Sequence, residues 1–247
     1  MIADDGSILI IAAVSHEIKP VMDRLNNPQK RIIGGRNVLC GKLFNHSVIA
    51  VVSGIGMLNA AQAATSVIEK MPVHLVINTG CAGAFSEKGF TIGDIGIATQ
   101  ETDIHSGVEP IPPDRLIKQL PFPVIQNETC QSFGAYPTSE KYSKLAYDIL
   151  CQQYLFNSVQ VKQVPFITVS TITASEDRRK NLYRYYQAGM ENMEGAGIAH
   201  IAAHYCLPFM EIRSASNFVG DRNKANWQLA LAFERSTNAI LLVLRLI

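Results

Sequence analysis

Two glutamates stand in surroundings that make a charge costly to keep. Glu17 follows, by three positions, the apolar run Ser7–Val14. That run reads as a buried strand, so the Glu17 carboxylate is expected to project from the strand's C-terminal end. Glu194 sits inside Met190-Glu191-Asn192-Met193-Glu194-Gly195-Ala196, at the start of a small-residue helical stretch. A glutamate in a helix's first turn ordinarily serves the cap or the helix dipole. The flanking Met193 and Gly195 favour a second reading, an apolar and closely packed seat where an ionised carboxylate needs donors. Carboxylates held in this way are the chain's candidates for acid–base chemistry. Nothing comparable surrounds the six histidines. His16, next to Glu17, and His105, beside a proline-rich segment, read as ordinary polar residues. The serines form no pattern with His and Asp, so covalent nucleophilic catalysis has no support.

Candidate ligand contacts lie in three junctions rich in Gly and Ser: Ser53-Gly54-Ile55-Gly56, Asn78-Thr79-Gly80-Cys81-Ala82-Gly83 and Ser214-Ala215-Ser216-Asn217. Each alone is a tight turn that needs positive φ. Together they describe a backbone-lined pocket for a small polar ligand, set where strands end and loops begin. The stock motifs GxxxxGK[ST], HExxH and GxSxG do not occur, and Gly54-Ile55-Gly56 lacks the third glycine of a dinucleotide fingerprint.

These residues need elements to position them. Ser7–Val14, Leu75–Asn78, Asp94–Ala98, Phe166–Val169 and Phe209–Ser214 read as strands, with Val38–Leu43 and Ser47–Val52 as a hairpin. Asn59–Glu69, Glu194–Tyr205 and Lys224–Leu244 read as helices. Prolines crowd Pro110–Tyr136, which reads as a loop or lid. Strands alternating with helices imply a three-layer α/β/α architecture around a central mixed sheet, expected as a single domain over residues 1–247.

Composition excludes several classes. Hydrophobic residues make up 47% of the 247, enough for a sizeable core. Twenty-two basic and 21 acidic residues leave a net charge of +1, without the basic excess of a nucleic-acid or anionic-membrane binder. The start, Met1–Asp5, is acidic where a secretory signal is basic, and no apolar run reaches the roughly 20 residues of a membrane span. Five cysteines are widely spaced and form no CxxC or Cys/His ligand pattern. The chain is therefore read as reduced, cytoplasmic, metal-free and without a cofactor.

The ordered set Ala12-Ala13-Val14-Ser15-His16-Glu17, Ser53–Gly56, Asn78–Gly83 and Asn192-Met193-Glu194-Gly195-Ala196 resembles the purine nucleoside phosphorylase and nucleosidase superfamily. Arg213-Ser214-Ala215-Ser216-Asn217 falls where methylthioadenosine/adenosylhomocysteine nucleosidases carry a Ser-Asp pair. The run Ser216–Trp227 is similar to one branch, futalosine hydrolase of the futalosine route to menaquinone, which releases hypoxanthine from a 6-oxopurine nucleoside. The resemblance implies a nucleoside phosphorylase-like fold and a small-molecule nucleoside as substrate. It also implies a homo-oligomer, often with a neighbouring subunit completing the pocket.

Hydrolysis of an N-ribosidic bond requires an activated water, an anchor for the ribose hydroxyls and stabilisation of the departing base. By resemblance, Glu17 is the water-activating carboxylate and Glu194 accepts from the ribose hydroxyls, with Met193 packing on the sugar. Cys81, Ala82, Gly83 and Ser216 line the substrate pocket. Cys81 replaces a serine, and a thiol is a poor donor. Asn217 replaces the aspartate of adenine-specific relatives. An amide offers one donor group and one acceptor, the complement of O6 and a protonated N7 in a leaving hypoxanthine. Asn217 as a plain turn residue is the simpler alternative. A phosphorylase needs cations around its phosphate, and the glycine-rich junctions hold neither Arg nor Lys. For the benzoate of futalosine, Arg178, Arg179, Lys180 and Arg222 are candidates, although a run such as Arg178–Lys180 is ordinarily a solvated face. Competing readings are a methylthioadenosine-type nucleosidase, a phosphorylase and a non-catalytic nucleoside sensor. Intact Glu17 and Glu194 argue against the sensor.

Overall fold

The computed structural model describes residues 6–112, 116–127, 130–155 and 157–247. The acidic start Met1–Asp5 and Pro113 of the proline-rich segment lie outside the described residues. In chain order the elements are β1 Ser7–Ala12, α1 Ser15–Met22, β2 Asn26–Ile33, β3 Arg36–Leu43, β4 His46–Val52, α2 Met57–Ile68, β5 Val73–Ala84 and β6 Ile95–Asp103. Short strands β7 Ile125–Gln126, β8 Gln131–Ser132 and β9 Ala135–Pro137 follow. The rest comprises α3 Glu140–Tyr154, β10 Val161–Thr168, α4 Glu176–Tyr186, β11 Met190–Asn192, α5 Gly195–His204, β12 Phe209–Phe218 and α6 Leu229–Leu246.

Nine strands run in the order β11-β10-β6-β12-β5-β1-β4-β3-β2, and β9 joins the same sheet against β6. Strand β1 lies parallel to β4 and β5, and β5 lies parallel to β12. The β6–β12 and β3–β4 pairs are antiparallel. The sheet is therefore mixed, as the alternation of elements implies. It also curls: β11 pairs with β10 on one side and with β5 on the other. Register shifts at Val164/Phe166 and Ala215/Asn217 supply the local bends such closure needs.

Strand β1 shows why both faces are covered. Ile8 and Ile10 join Ile18, Leu150, Ile240 and Val243 in one cluster, against α1, α3 and α6. Leu9 and Ile11 join Ala60, Ala64, Ile198 and Ala202 in another, against α2 and α5. A continuous apolar run is what a two-faced strand demands. Among the described residues, no helix is long and apolar enough to cross a membrane.

Several sequence expectations need correction. The junctions Asn78–Gly83 and Ser214–Asn217 are not loops but continue β5 and β12. Their hydrophobic pattern stops early because the strands pass from the core into a polar site. Glu17 belongs to the first turn of α1 rather than to a strand end. The hairpin extends to a third strand, β2, whose Pro28 and polar sequence suit an exposed edge. The end of the Pro110–Tyr136 segment enters the sheet as β9. The closing helix begins at Leu229, after a short 3-10 turn at Lys224–Asn226.

Candidate active site

A cavity of about 340 Å³ opens where β1, β5 and β12 leave the core, walled also by α1, β11, the start of α5 and α6. That volume suits a nucleoside-sized ligand. Glu17, Cys81, Ala82, Gly83, Met193, Glu194, Ser216 and Asn217 all line it, so the fold brings together the residues assigned to the reaction and to the base and sugar. His16 is exposed and stacks on Phe233, a residue of the cavity wall, without itself lining the cavity.

Local backbone geometry dictates the pose of Glu17. As the third residue of α1, its side chain turns back toward the helix N-terminus. Oε2 accepts from the main-chain N–H of Ala13 and Val14 at 3.1 Å each, and Oε1 accepts from Cys81 N–H at 2.9 Å. Three donors satisfy a buried carboxylate that would otherwise be prohibitive. A carboxylate has about four acceptor sites, so the three main-chain donors do not saturate it. Gly80 makes the approach possible: its φ is +150°, and a β-carbon there would lie 2.7 Å from the Glu17 carboxyl carbon. Thr237 of α6 donates its hydroxyl to the Glu17 carbonyl at 2.9 Å and ties down this turn.

Cys81 contributes its backbone. Burial first, and the Glu17 charge second, push its thiol up to about 12, so it stays protonated and is no nucleophile.

Glu194 is the N-cap residue of α5, but its side chain makes no cap hydrogen bond. Oε1 accepts from Gly56 N–H at 3.0 Å, and Oε2 accepts from Arg213 Nη2 at 3.3 Å. The simpler reading of Glu194 as a helix-start residue is thus not what the side chain does. Asn192 takes over the N-terminal role, its Oδ1 accepting from the N–H of Glu194 and Gly195.

Arg213 is the residue that sequence reasoning missed. It is 2% exposed, the largest side chain buried in the molecule's interior among the described residues. Its Nε donates to Glu211 Oε1 at 2.6 Å and its Nη1 to the Cys81 carbonyl at 2.9 Å. Burial opposes its charge, yet Glu211, Glu194 and Glu17 together hold its pKa above the ordinary value. One signal was available: an Arg inside the apolar run Phe209–Ser214, two residues from a Glu, cannot be buried unpaired.

At the other end of the cavity, Ser216 Oγ donates to Asn217 Oδ1 at 2.8 Å, and Asn217 Nδ2 donates to the Phe218 carbonyl at 3.0 Å. These bonds set the amide plane and leave one N–H and one carbonyl lone pair for a ligand. Asn217 and Glu191 both stand opposite Gly83, on the strands either side of it. Glu191 accepts from Thr173 through its N–H and hydroxyl, and burial raises its pKa. Arg222 lines the cavity with its guanidinium over the Trp227 ring at 4.9 Å. Arg179 and Lys180 are engaged on α4 with Glu87 and Glu176, and Arg178 does not line the cavity. Among the described residues, no group of three or more His, Cys, Asp or Glu side chains is arranged to hold a metal ion.

The sequence profile of the phosphorylase superfamily matches residues 7–246. The chain belongs to that superfamily. Among curated members, the 5'-methylthioadenosine/S-adenosylhomocysteine nucleosidase of Bacillus thuringiensis subsp. konkukian is 28% identical over 239 residues, covering 96% of this chain and 97% of that protein. The Neisseria meningitidis nucleosidase solved with methylthio-immucillin-A superposes with a TM-score of 0.83 at 21% identity, covering 98% of this chain and all of that one. Futalosine hydrolase of Helicobacter pylori superposes with a TM-score of 0.83 at 22% identity, with 98% of each chain covered. At such identities the superpositions establish the superfamily fold.

Proposed function

We propose that this protein hydrolyses the N-ribosidic bond of a purine nucleoside, and that its substrate carries a 6-oxopurine base, futalosine being the best match. The carrying observation is the cradle of three N–H donors that holds a buried Glu17 carboxylate on the wall of the same cavity that Glu194 lines. In this reading Glu17 takes a proton from the attacking water. Glu194, held between Gly56 and Arg213, accepts from the ribose hydroxyls and keeps the sugar in register as it acquires oxocarbenium character. Met193 packs beside the sugar. The departing hypoxanthine meets Asn217, whose free N–H donates to O6 and whose carbonyl accepts from protonated N7. Arg222, at the cavity wall, suits a carboxylate on the 5′ side of the substrate.

Water rather than phosphate as nucleophile is supported by charge. Glu17, Glu191 and Glu194 line the cavity against Arg213 and Arg222, and Arg213 is already shared by two glutamates. A phosphate dianion entering there would meet a wall of net negative charge. A second reading, a methylthioadenosine-type nucleosidase, is favoured by the names of the 28% identical relatives and opposed by the amide at Asn217.

The working unit is proposed to be a homo-oligomer. Ile55 on the cavity rim and Leu58 beside it are 59% and 85% exposed, an apolar pair that a second subunit would cover.

Incubation with inosine, methylthioadenosine and futalosine, each with and without phosphate, with the free base read by chromatography, tests these readings. Release of hypoxanthine from futalosine, independent of phosphate, is expected. A ribose 1-phosphate product in phosphorus NMR would overturn the hydrolase reading.

A further inference from the structure

Behind the cavity wall lies a second carboxyl pair that the reaction above does not use. Glu101 on β6 and Glu211 on β12 are both 0% exposed. Glu101 accepts from Asn192 Nδ2 and, at 2.9 Å, from the Thr168 hydroxyl. Glu211 Oε1 accepts from Asn78 Nδ2 at 2.8 Å and from Arg213 Nε at 2.6 Å. Glu211 Oε2 has no donor among the described residues. The two carboxyls converge on the first residue of α5, since a β-carbon on Gly195 would overlap both Glu101 Oε1 and Glu211 Oε2.

Two anions cannot face each other in a dry wall, and a bare acceptor oxygen there is costly as well. One proton removes both problems, because a neutral carboxyl supplies the single donor that Glu211 Oε2 lacks. We propose that Glu101 and Glu211 share one proton at neutral pH, and that this pair is the positioning device that sets Arg213 and, through it, Glu194. The pair then presents one negative charge to Arg213 Nε and leaves Nη2 to fix Glu194.

The charged groups around the pair fit this arrangement. Arg213 and Glu211 come from β12, Glu101 from β6, Glu194 from the residue before α5 and Glu17 from α1. The remaining contacts, Asn78 on β5, Thr168 on β10 and Asn192 on β11, are neutral. With the proton in place, three carboxylates surround one guanidinium; without it there are four. Burial first, then the charge and hydrogen bond of Glu211, hold the Glu101 carboxyl well above its usual range. Losing the proton would draw Arg213 toward the pair and away from Glu194, so the sugar anchor would loosen at alkaline pH.

The inference rests on the nucleoside hydrolase reading only for its kinetic arm. Infrared difference spectra of the wild-type protein should show the C=O band of a buried protonated carboxyl at neutral pH, lost on alkaline titration. Glu211→Gln is the matched variant. Its carbonyl still accepts from Asn78 and Arg213, its amide donates to Glu101, and the pair keeps one negative charge with no proton to lose. It should lack the band and keep kcat and KM within about threefold of wild type at neutral pH, since every hydrogen bond is conserved. Its KM should stay flat at alkaline pH where that of wild type rises. Glu211→Ala should raise KM by about tenfold or more, because Arg213 Nε is then left buried with no acceptor. Absence of the band in wild type, or a KM in Glu211→Gln that rises with pH alongside wild type, overturns the shared proton. If no nucleoside is cleaved but the band behaves as described, the functional reading fails and the shared proton stands.

Discussion

Glu17 accepts from three main-chain N–H groups, and this decides what its substitutions do. Glu17→Gln retains size but cannot take a proton, so kcat should fall by about 10²–10⁴-fold while substrate binding stays within about tenfold. The amide nitrogen must also face an N–H donor, adding a stability loss of about 1–2 kcal/mol. Steady-state kinetics and urea denaturation measure the two separately; a variant keeping more than about a tenth of wild-type kcat would remove Glu17 from the role of base. Glu194→Ala removes an acceptor used in ground and transition states alike, so KM should rise and kcat fall together. Asn217 carries base choice. Wild type should prefer futalosine to its 6-amino analogue, because a mispaired buried group costs about 1–3 kcal/mol, roughly 5–150-fold in kcat/KM. Asn217→Asp should narrow or invert that ratio, since a carboxylate accepts from N6 and, when protonated, donates to N7. An unchanged ratio would mean that Asn217 does not read the base.

At the scale of elements, the site depends on two strands that run on past their apolar segments. Strand β5 passes through Gly80 at a φ that favours glycine, and the space its side chain would fill belongs to the Glu17 carboxyl. Gly80→Ala should therefore push the first turn of α1 away from the cavity. A displacement near 1 Å costs about 10²-fold in rate. Activity should thus be lost well before the fold is, which kcat and the thermal midpoint read together will show. An alanine variant with wild-type kcat would mean that the approach of β5 to α1 is not required.

For the whole molecule, buried carboxyls set a dependence on pH. Glu101 and Glu191 are both held above the usual carboxylate range, in each case by burial first. The folded state then binds more protons than the unfolded chain at pH values above about 4.3, so stability declines as pH climbs through the folded values. Burial holds His105 and His200 low, and above about pH 7 both are neutral in either state, so they do not offset the decline. The thermal midpoint should fall as pH climbs through the raised values of these carboxyls, and fall less in Glu211→Gln, where the pair has no proton to release. Sedimentation velocity addresses the assembly: a mass that is a multiple of the chain's is expected, and a monomer at assay concentration would count against the oligomer.

What the sequence by itself determined was local in origin. The run Ile8–Ile11 had to be a strand buried on both faces. The alternation of elements implied the mixed three-layer architecture. Glu17, Glu194 and Asn217 stood out because each is a polar residue in an apolar or glycine-rich frame. The ends of β5 and β12 were not legible, because residues such as Thr79, Ser214 and Asn217 look like turns until neighbouring strands supply their ladder partners. Nor was the role of Arg213. Its partners are Glu211 two residues away, Glu194 nineteen residues back and Cys81 on another strand. Only the curl of the sheet brings them to one point. A buried charge declares its need for partners in the sequence, but which partners meet it depends on contacts between strands distant along the chain.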